Sequence, residues 1–399
     1  VSDAGLILRI AAKGDGVTAD GRHVPLSAPG DQVASDGTLV RGPHHVDPAC
    51  RHFPECGGCQ LQHADDETLS VFVRDRVEGA LIGQGVLAGT ILPPHLSPPQ
   101  SRRRASLRAT RIGKRIHMGF ASEGSHRIVD MEMCSILHPS LFALVEPVRE
   151  LLKPMLGDKR SVHVRMTLID QGVDMLIEGL EADGLSSAEA LTDFAKSQGL
   201  GRLSIDDGYG PQTRWEPEPV TISFGGVPVG FLPYSFLQAT VDGEAALAEA
   251  VMPAIDGASA FADLFCGLGT FALRLGKGKA VYAAEAARDP VMMLKAAANR
   301  AGRKVAADHR DLFRRPLVPA ELDRFGAILI DPPRAGAREQ ALQLAKSAVP
   351  AIAYISCNPG SFARDAKLLV EGGYRLESVK PVGQFRWSTH VELVGVFRR

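Results

Sequence analysis

The sequence predicts an α/β protein whose C-terminal part is a doubly wound, Rossmann-like parallel sheet. Three stretches carry that prediction. Phe261-Ala262-Asp263-Leu264-Phe265-Cys266-Gly267-Leu268-Gly269-Thr270-Phe271-Ala272 reads as a strand, a glycine-rich turn and a helix start. Apolar runs at 280–284 and 327–330 alternate with helical segments, and strands alternating with helices build a parallel sheet. The β-branched, aromatic run Ile352 to Ile355 ends in the turn formers Asn358, Pro359 and Gly360. That turn leaves Cys357 at the carboxyl end of a strand, where open α/β sheets bind their ligands.

A chain of 399 residues exceeds one core and suggests several domains. We divide it as 1–45, 46–95, 96–235 and 236–399. With 45% hydrophobic and 23% charged residues, composition is that of an ordinary globular protein. No apolar run approaches the roughly 18 residues of a membrane span. Val1-Ser2-Asp3-Ala4-Gly5 lacks the basic-then-apolar order of a signal peptide, so a cytoplasmic protein is expected. The net charge of −1 means that any nucleic-acid affinity must come from local patches.

Residues 5–41 read as a small β unit. Leu6, Leu8 and Ile10 alternate, Asp20-Gly21 is a hairpin dipeptide, and Pro29-Gly30 marks a turn. A reduced OB-like barrel, often used on nucleic acid, has this form, as does any small β ribbon. Cys50, Cys56 and Cys59 follow with C-x5-C-x2-C spacing, and Gly57 and Gly58 let the backbone fold tightly between two of them. Structural disulfides are rare in a cytoplasmic chain, so this run reads as a metal or cluster site. A fourth sulfur is available from Cys134, and His45, His52 or His63 offers the zinc alternative.

Residues 66–85 carry Leu69, Phe72, Val73, Val77, Ala80 and Leu81 at helical spacing, before Pro93, Pro94, Pro98 and Pro99 break the chain. Seven of the residues from 102 to 115 are Lys or Arg. They are Arg102, Arg103, Arg104, Arg108, Arg111, Lys114 and Arg115. Such a run either tracks a phosphate backbone or is a solvated ribbon face. From there to about residue 232, strand-like runs (162–169, 173–177, 220–224) flank helical ones (141–152, 188–196). They suggest an α+β domain that presents substrate.

In the C-terminal part, Gly267, Gly269 and Ala272 satisfy G-x-G-x-x-A, a weak dinucleotide fingerprint by itself. Glu285 ends the next strand, well placed for ribose hydroxyls, and Asp308 and Asp311 follow a third. Asp331-Pro332-Pro333-Arg334 ends the fourth. An acid, Asp263, leading into the glycine turn suits a cofactor with a cationic amino-acid end and no pyrophosphate. Together with Asp331-Pro332-Pro333, it favours S-adenosylmethionine over a nicotinamide. A free cysteine is most often a small buried apolar side chain. At a strand end, however, Cys357 can attack an electrophile where its surroundings favour the thiolate.

Asp263-Leu264-Phe265-Cys266-Gly267, Asp331-Pro332-Pro333-Arg334, Ser356-Cys357-Asn358-Pro359 and Thr389-His390-Val391-Glu392 occur in the order found in RNA uracil-5-methyltransferases. Over nearly its whole length the chain resembles the bacterial iron–sulfur branch acting on 23S ribosomal RNA. The resemblance implies a shortened TRAM domain at the N-terminus and a [4Fe–4S] cluster on Cys50, Cys56, Cys59 and Cys134. It implies a cofactor and base site lined by Gln238 of Phe236-Leu237-Gln238, Asp263, Phe265, Gly267, Gly269, Thr270, Glu285, Asp311 and Asp331. Thr240 and Thr270 stand where the family often has Asn. Cys357 is the implied nucleophile on C6 of a flipped uracil, Glu392 the general base, and Asp331 the group orienting the base edge. The implied partner is RNA, with ribosomal RNA favoured and transfer RNA the alternative substrate, and a monomer is expected. Competing readings are RNA cytosine-5 methylation, a nicotinamide oxidoreductase with an iron–sulfur centre, and a non-catalytic RNA-binding module. Arg334, where the cytosine enzymes keep a cysteine, argues against the first.

Overall fold

The structure, a computed structural model, describes residues 5–399. Residues 1–4, which carry most of the N-terminal leader reading, lie outside the described residues. The chain forms two units, and their segments interleave. One takes the chain through Leu69, Pro98–Thr221 and Phe385–Thr389. The other takes Ser70–Ser97, Ile222–Gln384 and His390–Arg399. This division cuts across the four consecutive segments expected from sequence, because 70–97 add to the C-terminal sheet and a five-residue loop near the C-terminus joins the N-terminal unit.

The second unit is built on a nine-stranded sheet. Its order runs Val305–His309, Ala280–Glu285, Ala260–Leu264, Ala327–Ile330, Ala351–Ser356, Glu392–Arg398, Arg375–Gly383 and Thr90–Ile91, with His95–Leu96 pairing Arg375–Gly383 as well. The first five strands are parallel, and Glu392–Arg398 runs antiparallel to both its neighbours. Every residue of Ala327–Ile330 and of Ala351–Ser356 is buried, as expected for strands covered on both faces. The helix Val241–Ile255 packs against these strands and Glu392–Arg398. Pro359–Glu371 packs on Ala351–Ser356 and Arg375–Gly383. Tyr354, Phe362 and Phe397 form an aromatic cluster in that layer. The strand order reverses between Ala260–Leu264 and Ala327–Ile330, the kind of switch point at whose carboxyl ends open α/β sheets bind their ligands.

In the first unit a six-stranded sheet, from Gln212–Trp215 to Arg115–Gly119, shares a core with the helices Val145–Met155 and Leu185–Ser197. The single helix expected over 141–152 is two, Pro139–Phe142 and Val145–Met155. Pro147 accounts for the break: its ring would strike the carbonyl of Ala143 in a continuous helix, whereas the first turn of a new one accepts it. At the N-terminus, five short strands form one three-stranded and one two-stranded sheet. The Asp20-Gly21 hairpin forms as expected, with the Gly21 N–H donating to Thr18 O. The alternation of Leu6, Leu8 and Ile10 does not hold. A bulge between Ile7 and Arg9 resets the register, so Ile7 and Ile10 are buried and Leu8 is 56% exposed.

Candidate active site

The site is assembled at the carboxyl ends of the second unit's strands. Asp331 follows Ala327–Ile330, Cys357 follows Ala351–Ser356, and Glu392 opens Glu392–Arg398. Ser356 pairs with Leu393 in the antiparallel ladder, so Cys357 and Glu392 are brought level at its end. The Asp331 loop is held by hydrogen bonds from the following helix. Asn358 caps Pro359–Glu371 by accepting from the Gly360 N–H at 3.0 Å, and its side-chain nitrogen donates to Arg334 O at 3.1 Å. Ser361 Oγ donates to the same carbonyl at 3.1 Å. Deeper, the Tyr354 hydroxyl and the Ala337 N–H both donate to Asp365 Oδ2 at 2.7 Å. The turn that follows Cys357 thus fixes the loop that carries Asp331.

Electrostatically this is a crowded anionic pocket. Burial pushes the half-buried Cys357 thiol up to about 11, with Glu392 and Asp331 adding to the shift and Arg334 opposing it. Asp331 keeps some surface at the mouth, yet the atoms packed round its carboxyl, and then Glu392 and Asp263, hold it well above the usual carboxylate range. Glu392 is buried. A cation entering this field is favoured, and its charge would lower the thiol in turn.

The glycine turn beside it is shaped for a ligand. Asp263 is fully buried, and neither carboxylate oxygen has a hydrogen-bond partner in the protein. Burial pushes it up to about 7, although the nearby Ala272 amide draws it down. Gly269 has φ +88° and caps the helix Thr270–Leu275, and a Cβ there would lie 2.4 Å from Leu294. At Gly267 a Cβ would meet nothing within 4 Å, leaving a cradle beside the chain. Glu285 is engaged by this turn, accepting from the Gly267 N–H at 3.1 Å and the Ala287 N–H at 2.9 Å. Phe265, in the left-handed region at φ +64°, tilts its ring against Phe313 at 5.3 Å. Asp311 accepts from the Phe313 N–H at 3.0 Å and so fixes that second ring. An unpartnered carboxylate, an open glycine cradle and a pair of aromatic rings fit a cationic amino acid, a ribose and a flat purine, the parts of S-adenosylmethionine. Of the two Thr positions, Thr240 caps Val241–Ile255 through the Gly243 N–H at 3.0 Å, and Thr270 opens the helix after Gly269. Gln238 is buried, and its Oε1 accepts from Gln384 Nε2 at 2.8 Å.

In the first unit Cys50, Cys56, Cys59 and Cys134 line one cavity together with Phe53, Phe120 and Met131. Gly57 is required there, since a Cβ would lie 2.8 Å from Ala121 O. All four cysteines are free thiols. Burial raises Cys56 and Cys134 and pushes Cys59 up to about 12, with neighbouring sulfurs adding to each shift. The half-buried Arg102 opposes the rise at Cys134 and lies between the rings of Phe120 and Phe385 at 5.8 Å and 5.6 Å. Of the histidines that could have served zinc, His45 bonds Asp31 at 2.7 Å and His63 bonds Ser27 O at 3.2 Å. His52 accepts from the Glu132 N–H at 3.0 Å. Among the described residues, the group of metal-ligating side chains whose donor atoms all lie within 4.8 Å of one another is His44, Asp65 and Glu67, not the cysteines. In that group Asp65 caps the helix Asp66–Gly83 through the Thr68 N–H and bonds His44 at 2.9 Å.

Sequence reasoning missed Phe313, Gln384 and the Tyr354–Asp365 pair. None belongs to a recognisable spacing, and only the paired ring at Phe265 and the side-chain bond to Gln238 reveal the first two.

Fold and site together define a methyltransferase of the open α/β class. The structure aligns with that of the Pyrococcus abyssi tRNA (uracil-54, C5)-methyltransferase solved with S-adenosyl-L-homocysteine, at TM-score 0.73 and 21% identity over 98% of both chains. Residues 235–399 match the tRNA (Uracil-5-)-methyltransferase family model. An uncharacterised RNA methyltransferase of Zymomonas mobilis is 50% identical over 98% of this chain and 99% of its own. The 23S rRNA (uracil(1939)-C(5))-methyltransferase of Pectobacterium atrosepticum is 30% identical over 90% of this chain and 81% of its own. The chain belongs to the S-adenosylmethionine-dependent RNA uracil-5-methyltransferases.

Proposed function

We propose that this enzyme methylates C5 of one uridine in ribosomal RNA, through a covalent bond between Cys357 Sγ and C6 of the base. The observation that carries the reading is the meeting of Cys357, Asp331 and Glu392 beside the glycine cradle. C5 of uracil is a poor nucleophile. Addition of the Cys357 thiolate to C6 sends the ring electrons to the O4 carbonyl and makes C5 an enolate carbon. S-adenosylmethionine supplies the electrophilic methyl group that C5 takes. Glu392 then removes the C5 proton, the C5–C6 double bond re-forms, and Cys357 leaves as thiolate. Asp331 orients the uracil edge, while Asp263 and Glu285 hold the amino-acid and ribose parts of the cofactor. The target leaves its stack to enter such a pocket.

The cysteine centre is read as a [4Fe–4S] site. A single tetrahedral zinc, with bonds near 2.3 Å, would set its sulfurs about 3.8 Å apart. The lining of one cavity by four free thiols supports a cluster, whose ligands sit on different irons. Bound, it would link the 50–59 loop to the segment at Cys134 and carry no step of the reaction. The N-terminal β unit is read as a shortened TRAM domain contacting RNA, and the enzyme as a cytoplasmic monomer.

The test is to map 5-methyluridine in RNA from cells with and without this protein. Loss of one ribosomal RNA site on deletion, restored by the wild type and not by Cys357→Ala, is expected. A missing site in transfer RNA alone would move the substrate, and an unchanged map would overturn the reading.

A further inference from the structure

The crossover segments cover the nine-stranded sheet unevenly. The helix Arg288–Arg300 follows Ala280–Glu285 and packs on that strand and on Val305–His309. The connection that leaves Val305–His309 carries only the four-residue helix Pro319–Leu322 before the chain returns at Ala327. A helix packs on one face of a sheet, so these two outer strands keep much of their other face bare. A groove of about 510 Å³ opens there, beside Tyr282 and Phe325. Its floor is low because the side chains are small: Ala280 pairs with Ala260, and Ala306 with Tyr282. Ala260, Ala280 and Val305 are the first residues of their strands. The groove therefore lies at the amino ends, one strand length, roughly 17–20 Å, from the carboxyl ends that carry Asp331 and Cys357.

The lining holds three cations, Arg303, Lys304 and Arg324, and no carboxylate. Among the described residues none of the three forms an ion pair. Pairing is available nearby, since Glu321 holds Arg310 at 2.7 Å. Asp323, next to Arg324 in sequence, is occupied by the Ala348 N–H at 2.7 Å, and Asp308 by the Tyr282 hydroxyl at 2.5 Å. Each arginine is held by one bond that leaves most of its five donors for a ligand. Arg324 Nε donates to Glu321 O at 3.1 Å, with its guanidinium 5.6 Å from the Phe325 ring centre. Arg303 Nη2 donates to Gly225 O at 3.5 Å. Cations of one sign around a concave surface reinforce each other's field. Tyr282 and Phe325, with ring centroids 5.8 Å apart, add flat apolar surface beside the charges. Single-stranded nucleic acid is bound by that combination of cations and rings.

We infer that this groove is a second RNA contact, which holds the phosphate backbone of a single-stranded stretch of the substrate away from the target base. The inference rests on RNA being the substrate and shares no residue with the site at Cys357. A small-molecule site encloses most of its ligand. Here Lys304, Ala306 and Arg324 are exposed, so the groove is open to a passing strand. A second copy of the chain, docked here about a two-fold axis, would set the same three cations against each other.

The test measures binding of a fluorescein-labelled single-stranded oligouridylate to the full chain by anisotropy across a salt series. Combining Arg303→Gln, Lys304→Gln and Arg324→Gln should weaken binding by up to about a hundredfold at about 0.1 M salt. The salt slope should flatten by up to about 2, or about 0.7 for each phosphate no longer neutralised. S-adenosylhomocysteine affinity and melting temperature should keep their wild-type values. Ala306→Glu keeps the cations and sets a carboxylate among them. It should weaken RNA binding too, and it carries the test if the triple variant folds poorly. With 4-thiouridine in the RNA, the peptides holding Tyr282 or Phe325 should crosslink in wild type and lose the crosslink in the variants. A salt slope unchanged in both variants, with no crosslink at those peptides, would overturn the inference and leave RNA as the substrate. A wild type that binds no RNA would overturn both. Concentration-dependent dimers lost in the triple variant, with the RNA salt slope unmoved, would assign the groove to a second copy of the chain and overturn the inference as well.

Discussion

Cys357 and Glu392 would repel as like charges when both are ionised, and under the proposed roles that gives one substitution two effects of opposite sign. The Cys357 thiol stands at about 11, raised first by burial and then by Glu392 and Asp331. At pH 8 only about one such thiol in a thousand is ionised. Removing the Glu392 charge lifts part of that penalty, so in Glu392→Gln the thiol should titrate lower. Iodoacetamide should then label Cys357 faster at pH 8, as read from its peptide by mass spectrometry, with the inflection of the rate–pH curve moved to lower pH. Turnover should fall by about 10²- to 10⁴-fold, because the general base is gone. Faster labelling with slower turnover identifies Glu392 as both the neighbour of the thiol and the base. An unmoved labelling curve would place its charge outside the field of Cys357. Both residues were legible in the sequence because each lies in a short motif at a strand end. Phe313 and Gln384 were not, since their roles come from which ring and which amide the fold sets beside them.

Among the elements, the strands of the parallel sheet were the most legible. Ala327–Ile330 and Ala351–Ser356 are short apolar runs bounded by turn formers, and nothing in their context competes with that reading. The basic run was legible as composition and not as a surface. On the strand Arg104–Ile112 side chains alternate between faces, so seven cations cannot share one. Arg103 is 5% exposed, and Arg102 lies beside the cysteines. Arg111 donates to Lys153 O and Leu156 O at 2.8 Å, a structural bond between the hairpin and a helix end. The outward cations are at the hairpin tip, where Lys114 and Arg115 are exposed around Gly113. Replacing both with Ala should weaken RNA binding and flatten its salt dependence, by up to about 0.7 in slope for each single-strand phosphate no longer neutralised, with the melting temperature unchanged. Arg111→Ala should do the reverse, lowering the melting temperature and leaving the salt slope nearly as it was. A salt slope unchanged by the tip substitutions would make the hairpin a solvated turn.

At the scale of the whole chain the two units carry different candidate sites, and the cysteine group belongs to only one of them. Without metal its thiols resist ionisation, since burial raises three of the four. A metal that binds them as thiolates relieves this, and its binding energy adds to the stability of the folded state alone. The loop carrying Cys50, Cys56 and Cys59 has no helix or strand of its own, and its ties to the rest are scattered backbone bonds such as Gly57 N–H to Ala121 O at 3.0 Å. The second unit holds its site by contrast on buried strands and a capped helix. Anaerobically purified protein should therefore contain about four irons per chain and absorb broadly in the visible. Stripping that iron should expose amides of 50–63 and 120–137 to hydrogen exchange, while 261–275 and 351–365 keep their protection and S-adenosylmethionine binding persists. Cys134→Ser should mimic stripping, because the ligand it removes is the one distant in sequence from the other three. Stoichiometric zinc in place of iron would replace the cluster by a mononuclear site. Loss of protection at 261–275 and 351–365 as well would mean that the centre supports the catalytic sheet directly.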